Sequence, residues 1–89
     1  MNTIQTDPGH LKQTLQLSDL RPGQSARITG IHANQGGSLV RLMEIGLIPG
    51  QTVQMIKFAP LGDPIELRVM NYNLVVRKKE ASAILVELL

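Results

Sequence analysis

Hydrophobic and polar residues alternate in several short segments of the chain, which is the pattern of strands that bury one face. The clearest case is "IELRV", in which Ile65, Leu67 and Val69 alternate with charged residues. Comparable segments are "QSARITGIH", "TVQMIKFA", "YNLVVR" and "AILVELL". Gly30 predicts a bulge or a bend in the first, and a change of apolar phase predicts a bulge or a sharp coil in the second. About five short strands joined by turns predict a fold of the all-β class that consists mainly of strands, in the form of a small antiparallel barrel.

One segment, "GGSLVRLMEIGLIPGQ" at residues 36–51, breaks the strand pattern with helical spacing. Ser38 is a suitable N-cap, because its hydroxyl can accept hydrogen bonds from the free backbone N–H groups of a first turn. Leu39, Leu42 and Met43 follow at the spacing of one helical face. The segment therefore predicts one short helix inserted between strands.

The same segment contains its own stop signal. Gly46 stands where the helix is expected to end in the left-handed conformation, with Leu47 folding back on Leu42. Pro49 prevents the helix from restarting, and Pro49 and Gly50 together predict a tight turn. We therefore interpret Gly46 and Gly50 as structural turn residues.

The N-terminal residues carry weaker signals. We expect a leader at 1–16, poorly ordered at its start, with a short helical stretch at "HLKQTLQL". Ser18 could cap a single helical turn that places Leu17 and Leu20 on the core, so the domain is expected at 17–89. Further along, "KKEAS" predicts a 3₁₀ turn, and "MNYN" predicts a hairpin turn with positive φ at Asn71.

Composition narrows the classes of function. The 89 residues are 43% hydrophobic, which supplies a compact core but leaves little room for a catalytic cleft. The chain has no cysteine, so disulfides and cysteine-based metal or redox sites are excluded. A net charge of +2 and an aromatic content of 2% disfavour a nucleic-acid binder. No apolar run is long enough to span a membrane. We therefore expect a cytoplasmic binding module and no enzyme.

Residues 36–51 hold more large apolar side chains than a two-turn helix can hide on one face. We expect Leu39 and Leu42 to close one end of the barrel. Some of the other apolar side chains in this segment should remain exposed, and grouped exposed apolar residues often mark a surface that binds a partner. We predict a partner-binding surface made of Val40, Met43, Ile45, Leu47, Ile48 and Pro49. On this hypothesis, Leu47→Asp or Met43→Glu weakens docking and leaves the fold intact.

Other site chemistries have less support. "GLIPGQ" lacks the lysine of a phosphate-binding Walker loop. His10, His32 and the carboxylates show no metal-ligand spacing, and no serine has a recognisable His and acid partner, so no metal, cofactor or catalytic residue is predicted. The "RKK" at 77–79 is either a solvated turn or a weak contact for acidic lipid head groups.

The order of four blocks resembles a known family. "LSDLRPGQ", "RLMEIGLIPGQ", "APLGDPIELRV" and "NLVVRKKEASAILV" together are similar to FeoA, a small protein of bacterial ferrous iron transport, over residues 17–88. The most specific blocks are "RLMEIGLIPG" and "PLGDPI". The resemblance implies an SH3-like β-barrel without enzymatic activity.

The resemblance also implies a partner. The resemblance favours an accessory protein that binds the cytosolic GTP-binding region of the FeoB membrane transporter and modulates the transporter's assembly or GTPase cycle. Such a protein associates with the membrane only indirectly, through the transporter. The alternative is a metal-responsive regulatory module like the C-terminal domain of iron-dependent repressors. Exposed strand edges or the apolar surface could also pair two copies in a weak homo-oligomer.

Overall fold

The computed structural model describes residues 14–32 and 39–89. The strands of this part are β1 (Thr14–Gln16), β2 (Ser25–Ile31), β3 (Thr52–Phe58), β4 (Ile65–Val69), β5 (Tyr72–Val76) and β6 (Ile84–Leu88). A 3₁₀ turn at Leu17–Asp19 and two short helices, α1 (Leu39–Glu44) and α2 (Lys78–Ala81), lie between strands. Neither of these helices is long or apolar enough to cross a bilayer.

The strands form one antiparallel sheet in the order β1-β6-β2-β3-β4-β5. The β2–β6 pairing shifts register between Ile28 and Gly30, and the β3–β4 pairing shifts between Met55 and Lys57. The sequence predicted a bulge or a bend at Gly30 and a bulge or a sharp coil in β3, and the register shifts indicate a bulge at both places. Because a bulge bends its strand, the sheet can curl around one core.

The core lies on one face of this curled sheet. Ile65, Leu67 and Val69 of β4 are fully buried, as their alternation predicts. Other strands contribute, and so do the segments that connect them; the further core residues are Leu17, Leu20, Ala26, Ile28, Leu42, Leu47, Val53, Met55, Val76, Ala81, Ile84 and Val86. No polar or charged residue of the described chain is buried. The mainly β fold rests on apolar packing.

The N-terminal boundary differs from the sequence prediction. Thr14–Gln16 forms β1 and pairs with β6, Leu15 lying opposite Val86. Residues 14–16 therefore belong to the sheet, where a leader and a helical stretch were expected, and the described sheet has six strands instead of about five. Leu15 packs its side chain against the core, which outweighs the weak helical pattern. The rest of the expected leader, residues 1–13, lies outside the described residues.

Three local predictions need correction or refinement. The helical turn at Leu17–Asp19 is present, but Ser18 does not cap it; its hydroxyl lies 3.1 Å from that of Ser82. In the β4–β5 hairpin, positive φ (57°) falls on Met70 and not on Asn71. The predicted 3₁₀ turn at "KKEAS" is a single α-helical turn, α2.

Candidate partner-binding surface

Helix α1 ends at a glycine in the left-handed conformation. Gly46 has φ +100°, a conformation that a residue with a Cβ atom adopts at a cost. The Gly46 N–H donates to the Met43 carbonyl at 3.1 Å, and the Leu47 N–H donates to the Leu42 carbonyl at 3.0 Å. These two bonds define a Schellman motif. The motif turns the chain so that Leu47 joins Leu42 in the core.

The β4–β5 hairpin fixes the end of α1. The Tyr72 hydroxyl, at the start of β5, donates to the Ile45 carbonyl at 2.8 Å. A Cβ atom on Gly46 would lie 2.5 Å from the same hydroxyl oxygen, so this close approach requires a glycine. The Tyr72 side chain remains partly exposed and adds an aromatic ring beside the end of α1.

The turn after α1 is fixed to β2. The Gln51 N–H donates to the Ile48 carbonyl at 3.1 Å across Pro49 and Gly50, and Gly50 has φ +92°, as in a type II turn. The Gly50 N–H donates to the Ile28 carbonyl at 2.7 Å, and the Ile28 N–H donates to the Gln51 carbonyl at 2.8 Å. The turn therefore sits at a defined position on the sheet.

An ion pair joins α1 to α2. The Arg41 guanidinium contacts the Glu80 carboxylate. Glu80 also accepts a hydrogen bond from the Arg77 N–H at 2.9 Å and so caps the first turn of α2. Because half of the Arg41 side chain is exposed, the pair itself contributes at most about 1 kcal/mol. The pair connects α1 to the first turn of α2.

The structure separates the predicted surface residues into exposed and buried ones. Val40 is 66% exposed, Met43 47% and Ile48 37%, and Pro49 is exposed as well. Val40 and Met43 are three residues apart and so lie on neighbouring positions of the helix surface. Ile45 is partly buried and packs against the core. We name Val40, Met43, Ile48 and Pro49 the α1 surface.

Leu47 does not belong to this surface. Its side chain is 0% exposed and forms part of the core, so the prediction of an exposed Leu47 is wrong. The physical reason is the Schellman motif, which carries the residue after the glycine back onto the helix. The expectation that Leu47→Asp would leave the fold intact is wrong for the same reason, because a carboxylate would be placed in an apolar core.

Tyr72 is the residue that the sequence reasoning missed. The available signal was that it is the only tyrosine in the chain, and that a tyrosine hydroxyl near a core usually finds a hydrogen-bond partner. The identity of that partner depends on how the hairpin and α1 approach each other. Local sequence spacing does not contain this information.

The described residues show no group of three or more His, Asp or Glu side chains arranged to hold a metal ion. His32 follows β2, and its N–H donates to the Ala83 carbonyl at 2.7 Å, which extends the pairing of β2 with β6 by one residue. His10 lies outside the described residues.

The fold and this surface define the class of protein, a small SH3-like β-domain with an exposed apolar helix and turn. The particular family follows from the sequence: a family model described as the FeoA domain matches residues 15–88. The chain therefore belongs to the FeoA family, which includes proteins of ferrous iron transport.

Individual relatives support this assignment. The Fe(2+) transport protein A/Fe(2+) transporter FeoB fusion protein of Porphyromonas gingivalis is 36% identical over 75 residues, which is 84% of this chain. The match spans only 9% of that relative's length. The FeoA-like protein of Clostridium acetobutylicum has a solved structure with TM-score 0.79 and 32% identity, covering 89% of this chain and 91% of that one.

Two further structures show how widely the fold occurs. FeoA of Stenotrophomonas maltophilia, solved with zinc and described as a prokaryotic SH3 domain protein, has TM-score 0.69 and 27% identity, covering 81% of this chain and 88% of that one. A manganese-dependent transcriptional repressor reaches TM-score 0.80 at 17% identity, covering 90% of this chain and 39% of the repressor. The second likeness establishes a shared fold alone.

Proposed function

We propose that this protein is a cytoplasmic adaptor of ferrous iron uptake. It binds the cytosolic GTP-binding region of an FeoB-type transporter and modulates the transporter's assembly or GTPase cycle by binding, without catalysis of its own. The observation that supports this proposal is the Porphyromonas gingivalis relative, in which FeoA and FeoB form one polypeptide. Fusion holds two modules at high effective concentration, which benefits modules that act together.

The α1 surface is the proposed contact. Its apolar side chains stand on an element fixed by three other parts of the fold, through Tyr72, Ile28 and Glu80. A fixed surface loses little conformational entropy on binding, which favours association. Full burial of one such side chain contributes about 1.5–3 kcal/mol before association costs. A few of them support a reversible complex of moderate affinity.

Calorimetric titration tests this proposal. The protein is titrated into the purified cytosolic region of its transporter with a GTP analogue, with GDP and without nucleotide. We expect binding whose affinity depends on the nucleotide, because a modulator of a GTPase cycle must discriminate between its states. Equal affinity in all three nucleotide states would contradict modulation of the GTPase cycle and leave an effect on the transporter's assembly as the remaining proposal. Absence of binding to this region and to the full-length transporter would refute the adaptor.

Variants assign the binding to a surface. Val40→Glu and Met43→Glu place a charge on exposed positions, so the fold should remain and affinity should fall about tenfold or more. Leu61→Glu is the matched control, because Leu61 is 97% exposed in the β3–β4 turn and lies outside the α1 surface. Equal affinities of all three variants and the natural protein would exclude the α1 surface as the contact.

The alternative is a metal-responsive regulatory module. It rests on the structural similarity to the manganese-dependent repressor, which shows a shared fold and no shared function. Its test is the oligomeric state measured by sedimentation with and without Fe(II). A metal-dependent change would favour the regulator, and an unchanged state would favour the adaptor.

A further inference from the structure

A second surface, which shares no residue with the α1 surface although it includes Arg41 of helix α1, lies along β5. Two adjoining cavities of about 260 and 160 Å³ share the side chains of Val75 and Pro64. Val75 points outward from β5 and is 54% exposed. The partly exposed Ala59 continues the apolar floor of the smaller cavity, which the buried Ile65 also adjoins. We name this two-part cleft the β5 groove.

Charged side chains stand at both ends of the β5 groove. Arg41, Arg77 and Glu80 line the larger cavity, and Lys57 and Glu66 line the smaller one. Both carboxylates already have partners within the protein. Glu80 binds Arg41 and the Arg77 N–H, and Glu66 accepts a hydrogen bond from the Asn73 amide at 2.9 Å and lies 3.9 Å from the Lys57 ammonium.

Among the basic residues that line the groove, Arg41 and Lys57 are the partners of these carboxylates, so Arg77 carries the excess positive charge. The exposed residues Lys78 and Lys79 follow Arg77 directly and add two positive charges near that cavity without lining it. The Asp63 carboxylate, which accepts a hydrogen bond from the Lys78 N–H at 2.9 Å, adds one negative charge there. Basic side chains therefore outnumber acidic ones around an apolar floor. A ligand that complements this arrangement has an apolar centre and negatively charged flanks.

We propose that the β5 groove binds an extended acidic peptide segment of a partner protein. One apolar side chain of the segment would lie on Val75 and Pro64, and its acidic neighbours would face Arg77 in the larger cavity and Lys57 in the smaller one. A concave floor fits a projecting side chain better than it fits a flat bilayer surface, so the shape favours a peptide over a membrane. This proposal does not depend on which protein occupies the α1 surface.

Fluorescence anisotropy with synthetic peptides tests the proposal on the full chain. The probe is a labelled nine-residue peptide with Leu-Val at its centre and Asp and Glu flanks. Two comparison peptides carry the same centre with Lys flanks, or acidic flanks around a Ser-Ser centre. We expect the first peptide to bind at least about tenfold more tightly than either comparison peptide, and to weaken as salt is added.

Variants locate the site. Val75→Glu and Arg77→Glu should each weaken the acidic peptide about tenfold, because each places a negative charge in the groove. Arg21→Glu is the control for a general loss of positive charge, since Arg21 is exposed in the turn before β2 and does not line the groove. Leu61→Glu is the control for a charge placed on an exposed apolar residue outside the groove.

Several results would overturn the proposal. Equal affinities for the acidic and basic peptides would remove the charge argument, and an equal loss in Arg21→Glu and Arg77→Glu would show unspecific attraction. Binding to phosphatidylserine vesicles that requires Arg77, without peptide binding, would assign the groove to a membrane surface. A Val75→Glu protein that still binds the transporter's cytosolic region would leave the adaptor function intact, so the two proposals fail separately.

Discussion

Replacing Gly46 with alanine tests the contact that holds the end of α1. Gly46 has φ +100°, and a Cβ atom there would lie 2.5 Å from the Tyr72 hydroxyl oxygen. Gly50 provides the comparison, because it has φ +92° but a Cβ atom there would meet nothing within 4 Å. The two substitutions therefore share a backbone cost and differ in the contact with Tyr72.

The expected magnitudes follow from these contacts. The left-handed conformation costs an alanine about 1–2 kcal/mol, and the less flexible unfolded chain returns about 0.4–1 kcal/mol. Gly50→Ala should therefore lower the free energy of unfolding by about 0–1.6 kcal/mol. Gly46→Ala must also displace the Tyr72 hydroxyl from the Ile45 carbonyl, which adds about 0.5–1.5 kcal/mol.

Urea denaturation followed by circular dichroism measures both substitutions, and Tyr72→Phe completes the comparison. Phenylalanine lacks the hydroxyl that a Cβ on Gly46 would meet, and the ring carbon that carried it lies 3.8 Å away, an ordinary contact distance. In the Tyr72→Phe background, Gly46→Ala should cost no more than Gly50→Ala does. If Gly46→Ala and Gly50→Ala cost the same in the natural protein, the Tyr72 contact with the end of α1 is refuted.

Two further predictions concern α1 and its connections. Leu47→Ala should lower the free energy of unfolding by about 2–5 kcal/mol because its side chain is fully buried, whereas Met43→Ala should change it by no more than about 1 kcal/mol because Met43 is half-exposed. Urea denaturation measures both variants. A Leu47→Ala protein as stable as the Met43→Ala protein would contradict the burial of Leu47. Glu80→Ala should lower the free energy of unfolding by about 0.5–2 kcal/mol and Arg41→Ala by less than about 1 kcal/mol, because Glu80 also caps α2. If the same assay shows a larger loss for Arg41→Ala than for Glu80→Ala, the cap is unimportant.

Much of the fold was predictable because its signals are local. The alternation of Ile65, Leu67 and Val69 with charged residues fixes which face of β4 is buried, whatever lies opposite. Gly30 predicts its bulge, and Gly46 predicts the helix end, because both act through the conformation of one residue and its nearest neighbours. The SH3-like class then follows from the family resemblance.

The errors arise where tertiary contacts decide. Leu47 was expected both to fold back on Leu42 and to lie on the partner surface; the first expectation is confirmed, and full burial in the core excludes the second. Residues 14–16 have a weak helical pattern, but pairing with β6 supplies backbone hydrogen bonds and buries Leu15 partly. Tyr72 reaches Ile45 only because the β4–β5 hairpin lies beside the end of α1. The last two contacts join residues that are too far apart along the chain for sequence spacing to reveal them.

The β5 groove had only a partial signal in the sequence. The "RKK" at 77–79 suggested a basic surface, but its apolar neighbours come from the β3–β4 turn and from β5. The sheet register brings Ile65 opposite Val76 and so places Pro64 beside the end of β5. Only the folded chain brings the charges and the apolar floor together.

A nuclear magnetic resonance footprint of the complex would decide whether the protein is an adaptor that binds through the α1 surface. The ¹⁵N-labelled protein is mixed with the unlabelled cytosolic region of its transporter, and the loss of amide signals is mapped by residue. We expect the losses to centre on Val40, Met43 and Ile48. Binding that leaves these signals unchanged would contradict the α1 surface, and the absence of any change with the full-length transporter would contradict the adaptor itself.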